Sequence, residues 1–299
     1  MGGKTFDPAK DIPDLSGKVI LVTGESVRQL AAHKPSRIYL ASRTPSKGEA
    51  AVEEVKKAIP SADVVFLPLD LSSFSSISNA AKEFTSKSQR LDILLNNAGV
   101  MALPAGKTEN GYEIQLGTNH VGHALLTRLL LPTLLETAKQ PGSDVRIVNL
   151  TSEAHQFARS ADVLCNQKKL EEQGTWTRYG YSKLANILFT RELSRRYPSI
   201  TSVAVHPGLI KSDLWVPNSQ LNSPMKYVMT AALALTGQSV EEGARNQLFA
   251  VTGRKEDLVS GTYYRPIGSA STGNALAKDS KLAAKLWEWT EKELEGKGY

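Results

Sequence analysis

The stretch Val19-Ile20-Leu21-Val22-Thr23-Gly24 sets the fold class, because it is a short, nearly continuous apolar run that ends in glycine. Its length suits a β-strand and is far too short for a membrane helix. A strand that is apolar at every position, rather than at alternate ones, is typical of a parallel sheet with helices on both faces. The run therefore predicts an internal strand of an α/β sheet.

Similar runs recur along the chain and alternate with amphipathic stretches, as in repeated strand–helix–strand units. The further predicted strands are 38–41, 64–67, 93–95, 146–150, 202–205 and 262–264. The predicted helices are 46–58, 73–87, 111–137, 179–197, 239–251 and 279–294. No linker rich in Pro, Gly or Ser divides the chain. We therefore predict one doubly wound Rossmann-type domain over 1–299, with 1–15 as an N-terminal extension and a mostly parallel seven-stranded sheet.

The composition is that of a globular protein and argues against several other classes. Hydrophobic residues make up 41% and charged residues 22% of the chain, which excludes a disordered or collagen-like protein. The net charge of +6 comes from scattered basic residues, so nucleic-acid binding is not expected. Cys165 is the one cysteine, and no apolar run approaches the roughly 18 residues of a membrane span. We expect a cytoplasmic protein without a membrane span.

Tyr179 and Lys183 are the first candidate catalytic pair. Residues four apart on a helix share one face, so both side chains can act on one substrate. A free phenol has a pKa near ~10, and a nearby ammonium group would lower it. The spacing by itself is common, and two solvated helix residues would produce it as well. Tyr181 has Ala185 rather than a lysine one turn further on, so we expect it to pack or to line the substrate site.

Polar residues follow two of the predicted strands. Ser152 comes just after strand 146–150, and Asn96-Asn97-Ala98-Gly99 follows the strand before it. Doubly wound sheets build their sites at the carboxyl ends of their strands. Asn119 interrupts the predicted helix 111–137, and a polar residue there indicates a bound water or a local kink.

In this order, the motifs resemble those of the short-chain dehydrogenase/reductase family from about Ser16 to Gly268. The Asn-Asn-Ala-Gly run matches a family signature, and His206-Pro207-Gly208 matches the family segment after the sixth strand. Within the family, the chain looks most like the retinol-dehydrogenase-like branch and its fungal relatives. The resemblance places the catalytic tetrad on Asn119, Ser152, Tyr179 and Lys183.

The resemblance implies hydride transfer between an alcohol and a carbonyl, with the hydride carried by a nicotinamide cofactor. Tyr179 would be the general acid in reduction and the base in oxidation. Lys183 would lower the phenol pKa and bind the nicotinamide ribose. Ser152 would hold the carbonyl oxygen, while Asn119 would position a water that passes protons onward from Lys183.

The end of the second predicted strand indicates which cofactor is used. An acidic residue there binds the 2′-hydroxyl of NAD, whereas arginine accommodates the 2′-phosphate of NADP. Arg43 follows Ser42 there, and no Asp or Glu occurs before Glu49, so NADP is favoured over NAD. A solvated loop charge is the other interpretation of Arg43. The resemblance adds as cofactor contacts Gly24, Asp70, Leu71, Asn97, Ala98, Gly99, Tyr179, Lys183, Pro207, Gly208 and Ser212.

The crossover after Gly24 departs from the family pattern. The family turn Gly-x-x-x-Gly-x-Gly does not follow, and the 13 residues 24–36 lead directly to the second strand. This is about seven residues fewer than family members use. The missing glycines would let the pyrophosphate approach the backbone at a helix N-terminus. The fold and ancestral chemistry are expected, and the alternative is a catalytically impaired or inactive binding protein with reduced cofactor affinity.

Residues 209–237 follow the Pro-Gly segment, where the family carries a substrate lid. Their apolar composition favours a hydrophobic alcohol or carbonyl, such as a retinoid, steroid, lipid aldehyde or polyketide. Packing on the domain body or on a partner subunit explains the same composition, and a homodimer is compatible with it. His120 and His123 lie three apart without a third ligand at a useful spacing, so no metal site is expected.

Overall fold

The computed structural model describes residues 5–24, 27–208 and 240–299. Within these residues, the strands form one eight-stranded sheet in the order β3-β2-β1-β4-β5-β6-β7-β8. The strands are β1 Val19–Thr23, β2 Arg37–Ser42, β3 Val64–Pro68, β4 Ile93–Asn96, β5 Arg146–Leu150, β6 Thr201–Val205, β7 Tyr263–Arg265 and β8 Ser269–Ser271. The predicted α/β class with a mostly parallel sheet is confirmed.

The predicted count of seven strands is one too few for the described part of the chain. Neighbouring strands from β3 to β7 are parallel, whereas β8 runs antiparallel to β7 at the edge of the sheet. β8 is three residues long and reads Ser-Ala-Ser, so it has no apolar run that a sequence pattern could detect. It pairs because the chain turns back at Gly268, whose φ of +60° favours glycine.

The strand order reverses between β1 and β4. From β1 the chain builds β2 and β3 on one side of the sheet, then returns to place β4 on the other side. The connections that leave these two neighbouring strands therefore diverge, and a crevice opens at their carboxyl ends. The strand order alone therefore determines where this crevice lies.

Helices cover both faces of the sheet. Successive residues of β1 point to opposite faces, so Leu21 packs into one apolar cluster and Ile20 into the other, both fully buried. The helices are α1 Pro8–Asp11, α2 Arg28–Ala31, α3 Pro45–Ala58, α4 Phe74–Lys87, α5 Ile114–Leu116, α6 Gly122–Ala138, α7 Ala161–Leu164, α8 Gln167–Glu171, α9 Thr175–Arg196, α10 Val240–Gly243, α11 Arg245–Thr252 and α12 Ser280–Glu295.

The helix predicted over 111–137 is divided into three parts. The short α5 leads into a π-helical turn, Gly117–Val121, which leads into α6. In this turn the N–H of Gly122 donates to the carbonyl of Gly117, five residues back. The local distortion expected at Asn119 is therefore a π turn, a feature often found at functional sites.

The crossover from β1 to β2 contains only a short helix in its described residues. α2 is four residues long, and it begins after Val27, whose apolar side chain cannot cap it. Residues 25 and 26 lie outside the described residues. A single turn aligns few peptide dipoles, so α2 offers an anion much less than a full crossover helix would.

The two ends of the predicted domain differ in what the structure describes. Phe6, Ile12 and Leu15 of the predicted N-terminal extension are buried, and the Phe6 ring meets Phe249 edge to face at 5.9 Å. The predicted lid, 209–237, lies outside the described residues.

Across 5–24, 27–208 and 240–299, no helix has both the length and the apolar character to cross a bilayer.

Gly122 is constrained by the close approach of α6 to the chain after β3. A Cβ atom at Gly122 would lie 2.3 Å from the carbonyl oxygen of Leu71, a backbone atom that cannot rotate aside. We expect Gly122→Ala to lower the free energy of unfolding in urea by about 1–3 kcal/mol. Gly106→Ala is the control, because its Cβ would meet nothing closer than 3.9 Å. Equal stability of the two variants would contradict the close approach.

Candidate active site

A cavity of about 300 Å³ lies at the carboxyl edge of the sheet, beside the reversal in strand order. Dinucleotides bind at this position in doubly wound sheets. The cavity is lined by Thr23, Gly24, Ala41, Ser42, Arg43, Thr44, Lys47, Leu69, Asp70, Leu71, Ala98, Gly99, Val100 and Thr118. The structure thus brings together seven of the predicted cofactor residues, namely Gly24, Ser42, Arg43, Asp70, Leu71, Ala98 and Gly99.

Two cationic side chains line the cavity next to the carboxyl end of β2. Arg43 follows β2, and Lys47 stands in the first turn of α3 and lines the same space. The sequence pattern does not single out Lys47, because this residue also fits the amphipathic helix predicted over 46–58. Its position one helical turn from Arg43 was the signal that could have found it. Together the two cations make this end suitable for an anionic group.

Two residues that line the cavity carry buried hydroxyl groups. The side-chain oxygens of Ser42 and Thr118 are buried and have no hydrogen-bond partner among the described residues. Buried polar atoms are normally satisfied, so unpaired ones in a cavity wall indicate a binding site. Gly99 keeps the wall open, since a Cβ there would lie 2.9 Å from Asn119 Oδ1 and 3.5 Å from Lys183 Nζ. These features fit the adenosine and ribose parts of a dinucleotide.

The phosphate side of the cavity is less complete. Gly24 directly follows β1 with a φ of +90°, and a Cβ there would lie 2.8 Å from Asn97 Nδ2. Glycine is therefore needed for the turn itself. Beyond this turn, the one-turn helix α2 supplies little of the dipole that normally binds phosphate. The residues present fit the adenosine end of a dinucleotide better than its pyrophosphate.

Helix α9 places Tyr179 and Lys183 together, with Lys183 Nζ 5.6 Å from the centre of the Tyr179 ring. Burial raises the pKa of Tyr179 to about 12, although a hydrogen bond with Ser152 counters part of this effect. Burial also lowers the pKa of Lys183 to about 8. At neutral pH the phenol is protonated and most of the lysine is charged. Burial thus outweighs the lowering of the phenol pKa that was expected from Lys183.

Ser152 is held by its own turn and by the C-terminal part of the chain. Its hydroxyl accepts the N–H of Ala154 at 3.2 Å, and its carbonyl accepts from Nδ1 of His155 at 2.7 Å. The other ring nitrogen of His155, Nε2, accepts the N–H of Asn274 at 3.3 Å. These bonds fix the segment after β5 and keep the Ser152 hydroxyl beside Tyr179.

Asn119 joins the loop after β4 to α9. Its Oδ1 accepts from the N–H of Val100 at 2.8 Å, and its Nδ2 donates to the Val100 carbonyl at 2.9 Å. The same Nδ2 donates to Ser182 Oγ at 2.9 Å. Ser182 lies between Tyr179 and Lys183 on α9, so Asn119 is fixed against the helix that carries both.

A buried hydrogen-bond chain connects β1 to the π turn. Thr23 Oγ1 accepts the N–H groups of Asn97 and Ala98, each at 2.9 Å, and lies 2.9 Å from His123 Nε2. His123 Nδ1 lies 3.0 Å from the carbonyl oxygen of Asn119. Because a carbonyl can only accept, His123 carries its proton on Nδ1 and accepts from Thr23 at Nε2. No sequence pattern predicts this contact, since 100 positions separate His123 from Thr23.

The remaining predicted cofactor residues have less direct placements. Asn97 Nδ2 donates to the Thr23 carbonyl at 2.9 Å and so joins the end of β4 to β1. Pro207 and Gly208 follow β6, and Gly208 has a φ of +96°. Ser212 lies outside the described residues. Contacts between these residues and a cofactor stay predictions.

Other reactive groups near the site have structural contacts. Tyr181 is buried, and its hydroxyl donates to the carbonyl of Ser160 at 3.0 Å. Burial raises the pKa of the Cys165 thiol to about 11, so the reactive thiolate is scarce at neutral pH. In the described part of the chain, no cluster of three or more His, Cys, Asp or Glu side chains is placed to hold a metal ion.

Comparison with known proteins identifies extensive similarity. The family model for short chain dehydrogenases matches residues 18–222. A short-chain dehydrogenase/reductase of Aspergillus calidoustus is 38% identical over 304 residues, with 95% of each chain covered. Retinol dehydrogenase 11 of Homo sapiens is 36% identical over 283 residues, covering 92% of this chain and 85% of the relative. The crystal structure of an uncharacterized protein from Mycobacterium paratuberculosis has a TM-score of 0.72 at 29% identity, with 98% of each chain covered.

Two buried histidines make the stability of the fold depend on pH. Burial lowers the pKa of His120 to about 3 and that of His123 to about 4. The unfolded chain takes up these protons near pH ~6.5. The contribution of the two neutral histidines to the stability of the fold is therefore complete above that pH, and it is lost as the pH falls from there through about 4 and then about 3. Near pH 5, each further fall of one pH unit therefore lowers the free energy of unfolding by about 2–3 kcal/mol for the two groups together.

We expect His120→Asn to reduce this slope by about 1.4 kcal/mol per pH unit, since one proton is no longer taken up on unfolding. The measurement is urea unfolding of both proteins between pH 7 and 4.5. The slope is compared rather than the absolute stability, because losing the contact of His120 Nε2 with Thr290 Oγ1 at 3.0 Å also has a cost that does not depend on pH. An unchanged slope would contradict the burial of a neutral His120.

Proposed function

The chain belongs to the short-chain dehydrogenase/reductase family, and from this premise we propose that it is an NADP-dependent oxidoreductase for a hydrophobic alcohol and its carbonyl. Family membership, including similarity to the retinol-dehydrogenase-like branch, confirms the prediction from sequence. The chain is accordingly an NAD(P)-dependent oxidoreductase that acts on CH–OH groups of a small molecule. The choice of NADP, the nature of the substrate and the roles of individual residues are our proposals.

The observation that carries this proposal is the meeting of four polar side chains beside one cavity. They are Asn119, Ser152, Tyr179 and Lys183. Asn119 and Lys183 approach each other across Gly99, whereas Ser152 lies near enough to Tyr179 to counter part of the rise in the pKa of its phenol. A proton donor, a cation and two polar groups in one desolvated place are the components that carbonyl reduction needs.

The protonation states of the site favour reduction near neutral pH. Tyr179 is protonated, which is the state that donates a proton to a carbonyl oxygen. Ser152 can hold the same oxygen, and the ammonium group of Lys183 favours the phenolate that remains after the transfer. Asn119 would position a water that passes protons between the solvent and Lys183. Each of these steps uses a group that the fold holds in place without substrate.

The cavity fits the adenosine end of a nicotinamide cofactor, which supplies or accepts the hydride when bound. Arg43 and Lys47 place two cations at the end of β2, and no carboxylate stands between them in the sequence. Two cations suit the 2′-phosphate of NADP, whereas NAD is normally bound by an acidic residue at this position. We therefore propose NADP as the cofactor.

An apolar substrate is supported by the surroundings of Tyr179 and by the relatives. Trp176 lies one turn before Tyr179 on α9, half-buried, with the two rings edge to face at 6.3 Å. An aromatic wall beside the proton donor favours a hydrophobic alcohol or carbonyl. Two relatives are named retinol dehydrogenases 11 and 12, after an apolar alcohol. The cytoplasmic location and the homodimer stay predictions from the sequence.

A second candidate function is a cofactor-impaired binding protein that keeps the fold of the family. The observation that favours it is the four-residue α2, which replaces a full crossover helix at the phosphate side of the cavity. A weaker pyrophosphate site would reduce cofactor affinity while leaving the sheet and its core intact. Titration with NADPH, followed by fluorescence, separates the two candidates. No saturable binding at millimolar NADPH would reject the enzyme in favour of the second candidate.

Replacement of Tyr179 tests the proposed proton donor. We expect Tyr179→Phe to lower kcat for reduction of an aromatic or aliphatic aldehyde by about 100- to 10,000-fold, because the general acid is lost. The dissociation constant for NADPH should change by less than about twofold, since the change removes one hydroxyl from the reaction site. Tyr181→Phe is the matched control on the same helix and should keep its turnover. Equal turnover of Tyr179→Phe and the unaltered chain would rule out the assigned acid.

Replacement of Arg43 tests the choice of cofactor. We expect Arg43→Ala to weaken NADPH binding by about 10- to 100-fold, because a charge-assisted contact with the 2′-phosphate is lost. NADH binding should stay nearly constant, as NADH lacks that phosphate. Lys57→Ala, an exposed change at the other end of α3, is the control. Equal weakening of NADPH and NADH binding would contradict a 2′-phosphate site.

A further inference from the structure

A buried ion pair connects the two elements that carry the proposed catalytic residues. Arg178 Nη1 donates to Glu113 Oε1 at 2.8 Å, and the two residues are 3% and 1% exposed. Arg178 directly precedes Tyr179 on α9. Glu113 directly precedes α5, which leads without a break into the π turn that contains Asn119. The pair therefore joins the helix that carries Tyr179 to the segment that leads to Asn119.

Glu113 also fixes the start of α5. Its Oε2 accepts the N–H groups of Gln115 at 3.0 Å and of Leu116 at 2.8 Å, so the carboxylate caps the helix. Both carboxylate oxygens are therefore used, one for the cap and one for Arg178. Glu113 therefore links Arg178 to the backbone that leads into the π turn.

Arg178 is fixed in the same way on its own side. Its Nη2 donates to Thr175 Oγ1 at 2.9 Å and to the carbonyl of Leu103 at 3.3 Å. A parallel connection runs from Gln115 Nε2 to the carbonyl of Thr175 at 3.0 Å. The first turn of α9 is thereby joined to α5 by two independent contacts. Farther along α9, the hydrogen bond from Asn119 to Ser182 joins the helix to the π turn that follows α5.

Stability alone does not account for this ion pair. Removing two charges from water costs several kcal/mol per ion, and well-packed apolar replacements of buried pairs are often neutral or stabilising. Burial raises the pKa of Glu113, an effect only partly countered by the N–H of Leu116 and by Arg178. Arg178 Nε, moreover, has no hydrogen-bond partner among the described residues. A costly arrangement with a fixed geometry is suited to positioning neighbouring groups.

We propose that Arg178 and Glu113 are positioning residues that hold the Asn119 turn in register with Tyr179 and Lys183. The inference rests on the proposed oxidoreductase function and extends it to two residues that do not line the cavity. The pair acts through the backbone: Arg178 through the first turn of α9, and Glu113 through the cap of α5. Both ends of the connection lie within a few residues of the groups that they position.

The double variant Glu113→Gln/Arg178→Met tests this role without leaving an unpaired buried charge. The glutamine oxygen can still cap α5, and methionine fills much of the volume of the arginine stem. We expect kcat for carbonyl reduction to fall by about 10- to 100-fold, as expected for misplaced catalytic groups. KM, the dissociation constant for NADPH and the unfolding midpoint should stay close to those of the unaltered chain. This split would not arise from a merely structural role.

Glu192→Gln is the matched control, because it removes another buried carboxylate on α9, one that pairs with Arg195 and Arg196 away from the cavity. Its kcat should be unchanged. If the double variant does not fold, Arg178→Lys keeps the charge but loses the branch to Thr175, and kcat should still fall several-fold. Turnover of the folded double variant, or of Arg178→Lys, equal to that of the unaltered chain would overturn the positioning role alone. Absence of turnover in the unaltered chain would overturn the proposed function and, with it, this inference.

Discussion

The hydroxyl of Thr23 is the contact on which the arrangement of the site depends. It accepts two backbone N–H groups from the segment after β4 and lies within hydrogen-bond distance of His123. Three parts of the chain that are distant in sequence thus meet at one buried oxygen. Leaving such buried donors unpaired would cost about 1–3 kcal/mol each. The bonds that stabilise the centre of the sheet therefore also fix the cavity wall and, through His123, the carbonyl of Asn119.

Burial affects the two titrating groups beside the cavity in opposite directions. It raises the pKa of Tyr179 to about 12 and lowers that of Lys183 to about 8, since a desolvated environment favours the neutral form of each. The phenol is therefore protonated at neutral pH, and the lysine stays close to its titration range. Neutral His123 and the ion pair of Arg178 with Glu113 lie farther back, where they can fix geometry without taking up the proton themselves.

Stability and cofactor affinity depend on different parts of this protein. The apolar clusters on the two faces of the sheet supply the hydrophobic stabilisation, and residues such as Ile20 and Leu21 belong to them whatever the length of the next connection. The first crossover, by contrast, adds only the four-residue α2 to the described structure. It stands, however, where a dinucleotide would place its phosphates. Shortening this connection can therefore leave the fold intact and still weaken binding.

The sequence by itself determined the strands β1 to β7, their alternation with helices, and the four residues proposed for catalysis, because each has a local signature: an apolar run, a helical period or a family motif. The tertiary structure alone decided the pairing of β8, the π turn around Asn119, the place of Lys47 in the cavity, the His123 contact with Thr23 and the pairing of Arg178 with Glu113. These features join residues that are far apart in the chain or depend on burial. Local patterns cannot predict them, since neither the partner of a polar side chain nor its desolvation exists until the sheet and helices have packed.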